Sequence, residues 1–242
     1  MRFSARSDKG MIRKLNQDSF GHYVDDTGAC FFIVADGMGG HNAGEVASAI
    51  AVDTFTGGAR AMAPAENIDS VIGFIKTTLR KANDLILYKA DADAELTGMG
   101  TTAVTAIVKE GKLIIGNIGD SRAYLISCGS IKQLTVDHSY VELLLKAGSI
   151  DIEEARTHPR RNEITRALGI RNYIDPDIFI TDYKKGDILI LCSDGLNKMI
   201  SDELIYEIAS GTDDTDNLCE SLIEAANRSG GTDNITAIAA IL

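Results

Sequence analysis

Three aspartates of this sequence share a local pattern: an apolar run ends, the aspartate follows, and a glycine or serine comes next. They are Asp36 in FFIVADGMGG, Asp120 in IIGNIGDSR and Asp194 in LILCSDGL. A fourth, Asp233 in GGTDNITAIAAIL, stands where a turn enters the last apolar run. Strand ends on one edge of a sheet lie close together, so their side chains can converge. Convergent carboxylates repel one another unless a cation neutralises them, which makes a metal site one interpretation.

The other interpretation is structural, because aspartate at a strand end commonly forms a turn or caps a helix. The spacing alone leaves both open. All-oxygen ligands would select Mg²⁺, Mn²⁺ or Ca²⁺ over Zn²⁺, and the sequence has no Cys/His cluster. Arg13, in GMIRKLNQDSF, is of the residue type that binds a phosphate dianion through two parallel hydrogen bonds. An arginine near the N-terminus is otherwise usually a solvated surface residue.

Short β-rich runs would position the aspartates. They are Cys30–Ala35, Thr102–Val108, Lys112–Gly119, Ser121–Ser127, Asp187–Ser193 and the C-terminal NITAIAAIL. Turns of hairpin length, KEGK and SCGS, join several of them and indicate antiparallel neighbours. Thr101 and Thr102 are expected to begin a strand near the site and to support it.

Apolar residues at spacings of three and four predict helices over residues 44–61 and 66–90, side by side on one sheet. A second helical pair is predicted over residues 202–210 and 216–228. Hairpin-connected strands bracketed by helix pairs favour an α+β layered sandwich over a βαβ repeat. Residues 137–169 have little continuous apolar pattern and are predicted to form a flap.

Bulk composition restricts the class of protein. A chain of 242 residues with 45% hydrophobic content suits one domain, and nothing in the sequence resembles a linker. The net charge of −11 disfavours nucleic acids and anionic membranes as partners. The four cysteines are dispersed and predicted to be reduced, and the N-terminus lacks an apolar signal core. We therefore expect a cytoplasmic protein.

Eight motifs together resemble the metal-dependent type 2C family of protein phosphatases, especially its compact bacterial members. They occur in family order from one end of the chain to the other: IRKLNQDS, VADGMGGHNAGEVAS, GMGTT, NIGDSRAYL, LTVDHS, HPRRNEITRALG, LCSDGL and GGTDNIT. The resemblance implies a single catalytic domain over residues 1–242, folded as a four-layer α-β-β-α sandwich of two antiparallel sheets flanked by helix pairs.

The resemblance also implies roles for individual residues. Asp36 would bridge two Mn²⁺ or Mg²⁺ ions, with the Gly37 carbonyl on the first, while Asp194 and Asp233 would hold the second. Two further acidic residues and one arginine complete the set: Asp18 would act through metal-bound water, Asp120 would serve a third, weaker ion, and Arg13 would bind phosphate. The implied reaction is hydrolysis of phosphoserine and phosphothreonine in proteins by a metal-activated water, by a monomer that opposes a serine/threonine kinase.

One departure from the family concerns the acid that protonates the leaving group. Many eukaryotic members have a histidine between the two glycines of this motif, whereas Met38 occupies that place here and a histidine appears only at His41. Metal-bound water is then the expected proton source, with His41 as the less favoured alternative. His138 and His158 are assigned to the flap region, where His158 either meets the substrate or has a packing or surface role.

Three competing interpretations carry less support. A binding module that has lost catalysis would lack metal ligands, yet every ligand position is filled. A narrow regulatory phosphatase would usually carry a sensor domain and diverge around Arg13. The glycines after Asp36 have the wrong spacing for a dinucleotide-binding turn, and the carboxylate would face a pyrophosphate.

Overall fold

The computed structural model describes residues 1–39, 43–62 and 67–242, and its strands form two antiparallel sheets. The strands are β1 (Arg2–Asp8), β2 (Asp18–Val24), β3 (Cys30–Met38), β4 (Gly100–Thr101), β5 (Ala103–Lys109), β6 (Lys112–Ile118), β7 (Arg122–Ser127), β8 (Ser130–Gln133), β9 (Asp177–Asp182), β10 (Ile188–Cys192) and β11 (Ile235–Ile241). One sheet has the order β1-β11-β10-β7-β8, and the other has the order β2-β3-β5-β6-β9, with the short β4 paired to β3.

The helices are α1 (Ala43–Ala61), α2 (Ile68–Ala92), α3 (Tyr140–Lys146), α4 (Ile152–Thr157), α5 (Asp194–Asn197), α6 (Asp202–Ser210) and α7 (Thr215–Arg228), with a 3₁₀ turn at Ala94–Leu96. The helices α1 and α2 cover the outer face of the second sheet, and α5–α7 cover that of the first. The helix α2 starts at an N-cap, Asn67, whose side chain accepts the Ser70 N–H. Its apolar side chains recur on one face, which packs against α1 and the second sheet.

Three apolar layers hold the fold together. One lies between α1/α2 and the second sheet, another lies between α5–α7 and the first sheet, and the third fills the space between the two sheets. The inter-sheet layer includes Phe32, Val34, Leu113, Leu191 and Ile238, all at most 1% exposed. Alternate residues of the central strands thus enter opposite layers. The predicted four-layer α-β-β-α sandwich is confirmed.

The predicted elements agree with the observed ones to within a few residues, but, besides the two-residue β4, four strands were not anticipated. They are β1, β2, β8 and β9, and each lies at an edge of its sheet. An edge strand has a neighbouring strand on one side only, and one of its faces is exposed, so its sequence stays polar. The strand β1 reads RFSARSD, and β2 alternates between exposed and partly buried positions over most of its length. Such segments lack the continuous apolar run that identified the central strands.

The segment predicted to form a flap, residues 137–169, contains the short helices α3 and α4. In α4 the Asp151 side chain accepts the Glu154 N–H and the Glu154 side chain accepts the Asp151 N–H, a capping box that fixes its start. The single-domain organisation and the flap remain predictions. None of the helices in the described part of the chain is both long and apolar enough to cross a membrane.

Candidate metal centre

Asp36 lies near the end of β3, directly opposite Asp18 on β2. Two threonines fix its backbone: the Asp36 N–H donates to Thr102 Oγ1 at 2.9 Å, and Thr101 Oγ1 donates to the Asp36 carbonyl at 2.9 Å. The Thr102 N–H donates to the same carbonyl at 2.9 Å. The supporting role expected for this threonine pair is therefore present, and it holds the Asp36 backbone in place.

Gly37 is confined by neighbouring backbone. Its N–H donates to the Gln17 carbonyl at 3.1 Å, which ties β3 to the residue before β2. A Cβ at this position would lie 2.1 Å from the Gly44 carbonyl oxygen and 2.5 Å from that of Gln17. Only glycine therefore allows α1 to begin so close to the end of β3.

Asp194 begins α5 directly after β10, and Asp120 is buried in the turn between β6 and β7. Between them lies Lys198, whose Nζ donates to Asp120 Oδ2 at 3.3 Å and to Asp194 Oδ2. This lysine was not among the predicted site residues. Its spacing of four residues from Asp194 at a helix start was the available signal, because residues i and i+4 of a helix face each other.

Asp233 and Arg13 form an ion pair, with 2.7 Å between Arg13 Nη2 and Asp233 Oδ2. Arg13 belongs to the segment between β1 and β2, and Asp233 to the turn before β11, 220 positions away. The structure therefore brings the predicted phosphate-binding arginine to one of the predicted metal ligands.

Asp18 is held by two hydroxyl groups that the sequence analysis did not single out. Ser193 Oγ and Thr236 Oγ1 both donate to Asp18 Oδ2, at 2.6 and 2.7 Å. The other oxygen, Oδ1, is buried with no hydrogen-bond partner, and the same is true of Asp194 Oδ1. A buried carboxylate oxygen without a donor is costly, and a cation would satisfy it.

The pKa values of these carboxyl groups show the same cost. Burial raises the pKa of Asp36 well above its usual range, and the charges of Asp18, Asp194 and Asp120 add to the effect. Burial likewise raises the pKa of Asp18 to about 7 and that of Asp120 to about 6. These three carboxyl groups therefore resist full ionisation near neutral pH, and a nearby cation would favour their charged forms.

These side chains line a single cleft of about 940 Å³, to which Arg13, Asp36, Gly37, Asp120, Asp194 and Asp233 all contribute. Asp18 lies behind its wall. Residues of the predicted flap, among them Val141 and Arg161, also line the cleft. The condition on which the metal hypothesis depended, that aspartates from distant parts of the chain meet in one place, is fulfilled.

The donor set suits a hard divalent cation, with a restriction. Across residues 1–39, 43–62 and 67–242, no three carboxylate, imidazole or thiol groups lie close enough to hold one ion by themselves. Lys198 forms ion pairs with Asp194 and Asp120, and Arg13 forms an ion pair with Asp233. Side-chain cations thus neutralise three of the carboxylates, and metal binding would require these contacts to loosen and the Gly37 carbonyl or water to complete the coordination.

The histidines lie apart from the aspartate cluster or outside the described residues. His41 falls within residues 40–42, which the structure does not describe. His138 is buried and hydrogen-bonded to the Gly119 N–H and to Asp177. His158 caps the end of α4 and packs against the Tyr140 ring, with 5.8 Å between ring centroids, which agrees with the packing role.

Comparison with known proteins gives consistent matches over nearly the whole chain. Residues 12–233 match the sequence profile of the family described as Protein phosphatase 2C. The serine/threonine phosphatase stp of Listeria monocytogenes is 39% identical over 236 residues, which are 96% of this chain and 92% of that protein.

Solved structures agree with the sequence matches. The serine/threonine phosphatase of S. agalactiae superposes with a TM-score of 0.94 at 33% identity, covering 100% of this chain and 99% of that one. The catalytic domain of the serine/threonine protein phosphatase PstP, solved in complex with two manganese ions, gives a TM-score of 0.86 at 34% identity, with coverage of 98% and 96%. The sequence motifs, the fold and the cleft all agree with these matches, and the chain is an enzyme of the protein phosphatase 2C family.

Proposed function

We propose that this enzyme hydrolyses phosphoserine and phosphothreonine in proteins, using two divalent ions, Mn²⁺ or Mg²⁺, held around Asp36. The observation that carries the proposal is the convergence of carboxyl groups from distant parts of the chain in and beside one cleft, where a cation would satisfy the unpartnered oxygens of Asp18 and Asp194. The manganese-bound PstP domain, which has the same fold, supports the choice of metal.

The family resemblance assigns the ligands, and the cleft brings most of them together. Asp36 and the Gly37 carbonyl would hold the first ion, Asp194 and Asp233 the second. Asp18, opposite Asp36, would act through water. When bound, the ions supply a water of lowered pKa and positive charge beside the phosphoryl group. Asp120 would bind a third ion, which would compete with Lys198 Nζ for the Asp120 carboxylate.

Arg13 would bind the phosphate group. Its side chain is 51% exposed at the mouth of the cleft, and one of its donors bonds to Asp233. The planar guanidinium has further donors that can reach two phosphate oxygens together, which a lysine cannot reproduce. Binding of an anionic substrate would therefore put Arg13 between the phosphate and Asp233.

The substrates would be phosphorylated proteins, since the cleft opens between the aspartate cluster and the predicted flap and is large enough for a peptide side chain with its neighbours. We infer that the enzyme acts as a monomer in the cytoplasm and reverses the work of a serine/threonine kinase. Its net charge of −11 supports protein rather than nucleic-acid partners.

The proposal is tested by hydrolysis of p-nitrophenyl phosphate and of matched phosphothreonine and phosphotyrosine peptides, with Mn²⁺, Mg²⁺ or EDTA present. We expect activity with either ion, none in EDTA, and preference for the phosphothreonine peptide. Asp36→Asn should lose at least about 1000-fold in kcat/KM, equivalent to roughly 4 kcal/mol of transition-state stabilisation.

The matched control is Asp182→Asn, which removes an exposed carboxylate that pairs with Lys112 at the edge of β6. This variant should keep the wild-type rate. Activity that survives EDTA, or an Asp36→Asn variant with wild-type kinetics, would contradict the metal mechanism. Faster turnover of the phosphotyrosine peptide would contradict the substrate class.

A further inference from the structure

The side chain of Asn234, which follows Asp233, uses its hydrogen-bonding groups on one distant segment. Its Oδ1 accepts the Gln17 N–H at 2.8 Å, and its Nδ2 donates to the carbonyls of Lys9 and Leu15 at 2.9 and 2.8 Å. A carboxamide has two N–H donors, so both of these are used. Asn234 is 5% exposed, and its bonds are therefore shielded from competing water.

The segment that Asn234 holds, residues 9–17, links β1 to β2 and carries Arg13. It contains no strand or helix of its own, and its larger apolar side chains Met11, Ile12 and Leu15 are 67, 69 and 45% exposed. Apolar burial therefore does little to fix its conformation. Hydrogen bonds must do so, and three of them come from this one amide.

The same amide connects to other parts of the site. Gln17, whose N–H donates to Asn234, also accepts the Gly37 N–H through its own carbonyl, at 3.1 Å. On the other side, a Cβ at Gly195 would lie 2.0 Å from the Asn234 carbonyl oxygen, so the start of α5 also packs against this residue. Asn234 thus lies where the segments that carry Arg13, Gly37, Asp194 and Asp233 meet.

We infer that Asn234 is a positioning residue that fixes the Arg13 segment against the strand carrying Asp233, so that the guanidinium is presented to the phosphate group at a constant distance from the carboxylates. Asn234 acts through Arg13 and does not itself touch the substrate. The inference rests on the proposed function for the role of Arg13. The hydrogen bonds that carry it involve only the protein, whatever Arg13 binds.

A double-mutant cycle tests the coupling. Asn234→Ser shortens the side chain out of reach of the Lys9 and Leu15 carbonyls, and with Mn²⁺ we expect it to lower kcat/KM for p-nitrophenyl phosphate by roughly 10- to 100-fold, mainly through a raised KM. Arg13→Ala should act in the same way. The double variant should be no worse than Arg13→Ala alone, because Asn234 would have nothing left to position.

Asn83→Ser is the matched control. Asn83 is also a buried asparagine that anchors a loop, since its Oδ1 accepts the N–H groups of Gly169 and Ile170, but it has no hydrogen bond to residues 9–17. When Asn83→Ser and Arg13→Ala are combined, the fold-reductions in kcat/KM of the two single variants should multiply. Multiplying effects of Asn234→Ser and Arg13→Ala, or a loss confined to kcat, would overturn the inference.

Hydrogen–deuterium exchange gives a readout that is independent of activity, so failure of the proposed function is distinguishable from failure of this inference. In Asn234→Ser, protection should fall in residues 9–17 and remain in the central strands, whereas Asn83→Ser should leave residues 9–17 protected. Unchanged protection in Asn234→Ser would overturn the inference. Asn234→Asp, which keeps the volume but loses the donors, is the second variant, and failure of both to fold would assign Asn234 to stability instead.

Discussion

Lys198 places an ammonium group among the carboxylates of the cleft. Burial by itself would lower its pKa, but the charges of Asp194 and Asp120 outweigh burial and raise the pKa above its usual value. The lysine therefore stays protonated and neutralises part of the repulsion in the metal-free protein. An ion at Asp120 would have to displace it, so Lys198 and the proposed third ion would compete for the same oxygens.

Replacing Lys198 with methionine tests this competition. We expect the metal-free variant to be about 1–3 kcal/mol less stable than wild type, because two buried carboxyl groups lose their cation. In saturating Mn²⁺ the difference should shrink, and isothermal titration calorimetry should show tighter or additional Mn²⁺ binding.

The control for this variant is Lys112→Met at the exposed pair with Asp182, for which we expect a change within about 0.5 kcal/mol in either condition. If Lys198→Met were equally destabilising with EDTA and with Mn²⁺, and its calorimetric titration matched that of wild type, the competition would be refuted.

At the scale of elements, His138 links the start of the predicted flap to two strand ends. The Gly119 N–H after β6 donates to His138 Nδ1 at 3.1 Å, and the His138 N–H donates to the Gly119 carbonyl at 3.0 Å. Because Nδ1 accepts a hydrogen bond, the neutral ring carries its proton on Nε2, which lies 3.1 Å from Asp177 Oδ2 at the start of β9. Protonation of Nδ1 would break the contact with Gly119, next to Asp120.

Burial lowers the pKa of His138 below 6.5, with Arg166 and Lys146 acting in the same direction and Asp177 against them. Between the folded and unfolded pKa values the unfolded chain binds more protons, so stability rises with pH. The contribution is fully present above about pH 6.5 and is lost as the pH falls through the lower folded value. We therefore expect wild type to lose stability relative to His138→Asn as the pH falls below about 6.5.

The measurement is urea unfolding of both proteins at a series of pH values, with Mn²⁺ held constant. Asparagine can accept the Gly119 N–H without titrating. Both proteins contain the aspartate cluster, so its titration cancels when the free energy of unfolding of one is subtracted from that of the other. The difference in slope cannot exceed about 1.4 kcal/mol per pH unit for a single proton. A difference in stability that does not vary between pH 5 and 8 would show that His138 is not titrating with a lowered pKa.

At the scale of the whole molecule, the cleft joins parts of the chain that are far apart in sequence. Arg13 and Asp233 are 220 positions apart, and Asp18 is bonded to Ser193 and Thr236 across 175 and 218 positions. An ion bound there would contact the folded form only, because the unfolded chain cannot gather these ligands. Metal binding should then stabilise the entire fold.

Mn²⁺ should therefore raise the melting temperature. At 100 times its Kd the ion contributes about 2.7 kcal/mol, which corresponds to roughly 5–10 °C for a chain of this size. Differential scanning calorimetry in EDTA and in Mn²⁺ measures the shift, and Asp36→Asn should show almost none. An equal shift in wild type and Asp36→Asn would place the stabilising ion elsewhere.

Much of the fold could be predicted because the central strands and the four long helices carry apolar patterns that are visible locally. The edge strands could not, since β1, β2, β8 and β9 owe their structure to a neighbour rather than to their own composition. Among site residues, the aspartates were recognisable from their position after buried strands and from their family motifs. The hydroxyl groups of Ser193 and Thr236 were not recognisable, because folding alone brings them to Asp18. Lys198 was not recognised either, since its contact with Asp194 depends on a helical turn that the sequence analysis had not assigned there.

The sequence by itself determined which residue types stand at the strand ends, the period of each long element and the family to which the motifs point. Only the tertiary structure decided which groups share the cleft with those aspartates, that Lys198 and Arg13 neutralise them, and that Asn234 holds the Arg13 segment. The physical reason is that periodicity and propensity act between near neighbours in the chain. Charge pairing and hydrogen bonding across the cleft depend on distances in space that folding alone sets.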